Sequence, residues 1–120
     1  MKNPKLFSDS YQLTLTLFHR TKNFPKQMRP TVGRRLEESS VDLLLSVKLA
    51  SVSKGKSRVQ KLRTASQKLD EIRLLVQLSK DNKGVSSGSF GEISSLTSEI
   101  GKEIGGFLKY ESQKLYNASK

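Results

Sequence analysis

The sequence predicts an all-α protein, an up-down-up-down four-helix bundle, on three observations. Apolar residues recur at helical spacing in four segments, short breaks rich in Pro, Gly or Ser separate those segments, and the one alternating stretch has no second strand to pair with. The 120 residues make a single domain, 1–120, with helices expected over about residues 8–22, 31–52, 58–81 and 90–116.

The first segment, Ser8 to about Lys22, carries two patterns at once. Tyr11, Leu13, Leu15 and Leu17 alternate with Gln12, Thr14 and Thr16 as a half-buried strand would. Tyr11, Leu15 and Phe18 also fall at i, i+4 and i+7, with Leu13 and Leu17 beside them, and Ser8 or Asp9 is placed to cap a helix. With no partner strand, helix is the assignment. Phe24-Pro25 closes it, because a residue before proline is pushed out of the α region, and Pro30 fits the first turn of the next helix.

Between Thr31 and about Val52 the apolar face is Val32, Leu36, Leu43, Val47 and Ala50, widened by Leu44 and Leu45. A turn follows at Ser53-Lys54-Gly55-Lys56-Ser57. The third segment, about Arg58 to Asp81, has the cleanest seam: Leu62, Ala65, Leu69, Ile72 and Val76 step by three and four. Leu74, Leu75 and Leu78 lie outside that seam and call for a second interface. Asp81-Asn82-Lys83-Gly84 ends the helix, and Ser86 to Ser89 is a polar loop.

The last segment, about Phe90 to Tyr116, presents Ile93, Leu96, Ile100, Ile104, Phe107, Leu108 and Leu115. Gly101, Gly105 and Gly106 each cost roughly 1 kcal/mol against alanine in a helix interior, so they mark either the close approach of a neighbouring helix or a kink.

Composition narrows the function. A hydrophobic fraction of 34% implies a thin core or an oligomer. Lys and Arg number 22 against 11 Asp and Glu, and a net charge of +11 favours polyanions through counterion release, so RNA, DNA or both are the expected partners. That charge is uneven: residues 1–35 and 48–83 each carry +7, residues 36–47 carry −3, and residues 84–120 are neutral.

Two clusters are the candidate contacts to nucleic acid. One is Lys22, Lys26, Arg29, Arg34 and Arg35 around the first interhelical turn. The other is Lys54, Lys56, Arg58, Lys61, Arg63 and Lys68, in which Lys61 and Lys68 are seven apart and share a helix face. The aromatic residues Tyr11, Phe18, Phe24, Phe90 and Phe107 mostly fall on apolar faces, so backbone or shape recognition is expected in preference to base reading.

Catalysis is not expected. There is no cysteine, which removes disulfides and thiolate metal sites, and His19 reads as a surface or capping residue. Glu37, Glu38 and Asp42 cannot all converge from one helix, so no metal site is expected, and no cofactor. The GKS triplet at Gly55 lacks the glycine five residues earlier that a phosphate-binding loop needs, that position being Ala50. No apolar run approaches a membrane span, and the first dozen residues lack a signal-peptide core, so a cytoplasmic protein is expected.

The stretch Phe24-Pro25-Lys26-Gln27-Met28-Arg29-Pro30-Thr31-Val32-Gly33-Arg34-Arg35-Leu36-Glu37 resembles the FPKxxRxxxGxxLE turn-and-helix signature of a family of small bacterial four-helix bundle proteins. The LDEIRLLVQLSKD stretch from Leu69 to Asp81 and the EIGKEIGGFLK stretch from Glu99 to Lys109 are similar in order and spacing, and the resemblance covers about residues 8 to 110. Within that family the pattern is most similar to the accessory variability determinant proteins of diversity-generating retroelements. The resemblance implies a basic homopentameric barrel of bundles, encoded by a bacterium or phage. It also implies binding to the element's reverse transcriptase and association with nucleic acid during mutagenic copying, without catalytic residues. A related branch, encoded within intervening sequences of ribosomal RNA genes, shares the signature and makes a stand-alone RNA-binding or ribosome-associated bundle the alternative. Thr14, Thr16, Ser39 and Ser40 make the first two helices more polar than in many relatives.

Overall fold

A computed structural model describes residues 4–119. Four helices follow one another: α1 (Pro4–Thr21), α2 (Arg34–Val52), α3 (Gly55–Asp81) and α4 (Ser87–Ala118). A π-helical turn, Arg29–Gly33, runs directly into α2. They pack as an antiparallel bundle with extents of 54 × 23 × 21 Å.

In α1 the alternating pattern resolves into two faces of one helix. Leu6, Leu13 and Leu17 are buried at the core, whereas Tyr11 and Leu15 are about half exposed and Phe18 lies outward beside them. The face expected to pack, Tyr11-Leu15-Phe18, is therefore the outer one. It is corrected by the hydroxyls: Ser10, Thr16 and Thr21 take the remaining inward positions because a small side chain lets a neighbouring helix approach. The helix also begins at Pro4 rather than near Ser8, with proline in its first turn, so Ser8 and Asp9 are interior residues and not caps.

The α1–α2 connection is built around Phe24, which is buried, and Gly33, where a Cβ would lie 3.3 Å from the Met28 carbonyl oxygen and 3.5 Å from the Phe24 ring. The Gly33 N–H donates to the Met28 carbonyl at 2.9 Å, closing the wide turn that carries Pro30. Proline's missing N–H costs nothing at the start of such a turn.

α2 buries Leu36, Leu43, Val47 and Ala50 together with Ser39, Ser40 and Ser46. Ser40 satisfies its hydroxyl on the Glu37 carbonyl at 2.8 Å, and Ser39 donates to Glu71 at 3.2 Å. α3 packs its expected seam, Leu62, Ala65, Leu69, Ile72 and Val76. Leu74 and Leu78 remain exposed and no described element covers them, while Leu75 packs on the core. α4 starts at Ser87, three residues before the expected start, because the Ser86 hydroxyl accepts the Ser89 N–H at 3.1 Å as an N-cap.

The α4 glycines divide. A Cβ at Gly101 would lie 2.5 Å from Arg73 Nη2 and 3.5 Å from Leu69, so close approach explains that position. Gly105 and Gly106 face open space, so close approach does not explain them among the described residues.

Candidate nucleic-acid interface

Antiparallel topology decides which charges meet. The α1–α2 turn and the α3–α4 turn lie at the same end of the bundle, where Met28 of the first packs on Gly84 of the second: a Cβ on Gly84 would stand 2.8 Å from Met28 Cε. The α2–α3 turn lies at the opposite end, with the C-terminal turns of α4, where Leu115 approaches Gly55. The two basic clusters consequently sit at opposite ends of a 54 Å rod and form no single patch.

At the first end Lys22, Lys26, Arg29, Arg34 and Arg35 are all exposed, and no acid interrupts residues 22–35. The Arg29 Nε donates to the Phe24 carbonyl at 3.0 Å, which fixes the base of its side chain. Glu37, the nearest acid in α2, is partly buried and accepts the Thr21 hydroxyl at 2.5 Å, so it faces α1.

The second cluster does not stay together as a surface. Lys54 and Lys56 are exposed at the α2–α3 turn, Arg63 is exposed further along α3, and Lys61 is half-buried. Lys68 is held between Asp42 at 3.7 Å and Glu71 at 3.3 Å on the α2–α3 seam. Arg58 is the departure from expectation: it is buried, its Nη1 lies 3.0 Å from Glu111 Oε1, and its Nε donates to the Ala50 carbonyl at 3.1 Å. It joins α2, α3 and α4, which withdraws its Nε and Nη1 from a surface contact. Gly55 starts α3 with φ of 59°, and Arg58 is the fourth residue of that helix.

Sequence reading missed Lys80 and Lys83 as members of the first cluster, because they are some fifty residues away in the chain. Lys80 stands 4.4 Å over the Phe90 ring, and Lys83 is exposed at the α3–α4 turn. The only advance signal was antiparallel topology itself.

The remaining titratable groups do not assemble a reaction centre. Among the described residues no group of three or more His, Cys, Asp or Glu is placed to hold a metal ion. Glu38 is exposed, Asp42 pairs with Lys68, and Glu37 turns to Thr21, so this acidic trio diverges. His19 is exposed on the outer face of α1. At the α1–α4 seam, Glu103 is pushed up to about 7 by burial and by the Asp9 carboxyl, and Asp9 is held below its usual range by the neighbouring Glu103 carboxyl and by Lys5. Among the described residues no helix is long and apolar enough to cross a membrane.

A family model described as bAvd-like matches residues 5–111. The chain belongs to the bAvd-like family. That agrees with the resemblance carried by the Phe24–Glu37 signature, which lies wholly inside the match. Among solved structures, the bAvd-like fold of this chain is similar to the crystal structure of a protein of unknown function from the S23 ribosomal protein family of Bacteroides thetaiotaomicron. That similarity has a TM-score of 0.83 at 15% identity over 91% of this chain and 99% of that one. At that identity the likeness concerns the fold. No curated protein matches the chain.

Proposed function

We propose that this bAvd-like chain is a non-catalytic accessory subunit of a diversity-generating retroelement, binding the reverse transcriptase and the template RNA or its cDNA during mutagenic reverse transcription. The family match over residues 5–111 carries the reading. The net charge of +11 and the concentration of cations at the bundle's ends support the nucleic-acid half of it. Self-association into a homopentamer is part of the proposal, supported by the outward apolar residues Tyr11, Leu15, Phe18, Val41 and Leu45 on α1 and α2.

Co-expression with the neighbouring reverse transcriptase tests it. Co-purification and stimulation of template-primed cDNA synthesis are the expected results; absence of both overturns the proposal. The likeness to an S23-family structure favours a second reading, a stand-alone RNA-binding or ribosome-associated bundle. That reading predicts co-sedimentation with ribosomes in the absence of any reverse transcriptase.

A further inference from the structure

We infer that the end of the bundle where the α1–α2 and α3–α4 turns meet is a composite phosphate-binding tip, in which Lys80 and Lys83 join Lys22, Lys26, Arg29, Arg34 and Arg35 on the backbone of a single-stranded nucleic acid. The inference rests on the polyanion-binding reading above and gives it a place on the molecule.

Three observations converge. The first is how the chain ends α3. The Gly84 N–H donates to the Ser79 carbonyl at 2.8 Å and the Lys83 N–H to the Lys80 carbonyl at 3.0 Å, the paired bonds of a Schellman motif. In that motif the left-handed position usually belongs to glycine. Here it belongs to Lys83, with φ of 62°, although a glycine follows immediately. The left-handed turn therefore carries a cation on the exposed end of α3.

The second is what the glycine does instead. Gly84 makes room for Met28, since a Cβ there would stand 2.8 Å from the Met28 methyl and make it shift. The packing of Met28 on Gly84 brings the two turns together and places Lys83 beside the Lys22–Arg35 segment. Lys80 is oriented separately, by its ammonium lying over the Phe90 ring.

The third is electrostatic. Residues 22–35 and 79–86 together contain seven cations and one acid, Asp81, whose carboxylate accepts from Gln77 at 3.1 Å. Among the described residues, none of these seven cations is in an ion pair, whereas the neighbouring Arg20 pairs with Glu92 at 3.4 Å and, at the other end, Arg58 pairs with Glu111. The tip's seven cations are enough to neutralise several phosphates of one strand.

The test is a salt titration of binding by fluorescence anisotropy, using single-stranded RNA and DNA of one sequence. The full chain is compared with a Lys80→Gln, Lys83→Gly double variant and with a Lys109→Gln, Lys114→Gln variant of the opposite end. Six or seven neutralised phosphates predict a slope of log affinity on log salt of about −4 to −5, and the tip variant should be shallower by about 1.4. Because Lys83→Gly restores the preferred residue to a left-handed position, the tip variant should melt at the same temperature or higher, so weaker binding cannot be ascribed to unfolding. An unchanged slope in the folded tip variant overturns the tip while leaving polyanion binding standing. A flat slope in the unsubstituted chain overturns both. A loss confined to RNA or to DNA overturns the backbone contact in favour of a sugar or base contact.

Discussion

Arg58 and Glu111 form a buried ion pair 3.0 Å long, with side chains only 10% and 6% exposed, and it fastens the start of α3 to the last turns of α4. The Ala50 carbonyl accepts a further bond from Arg58 Nε, so the end of α2 is tied into the same knot. A cation chosen from the sequence as a surface contact thus proves to be internal structure.

Removing one partner should leave a buried charge without compensation. Glu111→Gln or Arg58→Glu is expected to destabilise the chain by about 3–5 kcal/mol in urea unfolding. An Arg58→Met, Glu111→Leu double substitution should recover most of that loss, because it removes both desolvated charges together. Equal destabilisation by the double variant would show that the pair does more than neutralise itself.

Glu103 gives the fold a pH dependence whose sign follows from its raised value. Its carboxyl moves from an ordinary 4.5 to about 7, through burial first and the Asp9 carboxyl second, so the folded chain binds more protons than the unfolded one in that interval. Its contribution is full below about 4.5 and is lost as pH rises through about 7. Asp9 is shifted the other way and acts below its ordinary 3.8, outside this window. Thermal unfolding from pH 4.5 to 8 should show Glu103→Gln with a flatter decline than the unsubstituted chain.

The α4 glycines should respond in opposite ways. Gly105→Ala and Gly106→Ala meet open space and should each stabilise the folded chain by about 1 kcal/mol through helix propensity. Gly101→Ala gains the same propensity but drives Arg73 off the Thr97 carbonyl it now reaches at 3.0 Å. Its net effect should be neutral or unfavourable. Chemical denaturation of the three single variants separates the cases.

The apolar face of α1 and α2 should control assembly without controlling folding. Leu15 is 50% exposed and Leu45 54%, so Leu15→Glu with Leu45→Glu is expected to keep the helical circular dichroism of the parent. In light scattering the variant should fall to the 13.5 kDa mass of one chain while the parent forms an oligomer. An oligomer that survives both charges would place the interface elsewhere, with exposed Leu74 and Leu78 of α3 the next surface to charge.

Helix count and order were readable because each helix carries its own evidence in local spacing. Leu62 through Val76 repeats by threes and fours, and Pro25, Gly55 and Asn82-Lys83-Gly84 break the pattern where the chain turns. The ends were read less well. Pro4 starts α1 four residues before the expected Ser8, with Leu6 of that first turn already in the core, and Ser86 caps α4 four residues before Phe90, a cap being a position that needs no apolar residue.

The amino-acid sequence by itself determined a four-helix chain with a large positive charge and the bAvd-like signature at its first turn, all of which are local or summed properties. Tertiary structure alone decided that Leu13 and Leu17 rather than Tyr11 and Leu15 face the core, that Arg58 turns inward, and that Lys83 joins Lys22 and Arg35 at one end. A periodic pattern marks every apolar face a helix has, but the face that is buried depends on the surface brought against it. Two charges far apart in the chain become one patch only after the intervening helix has run the length of the bundle and back.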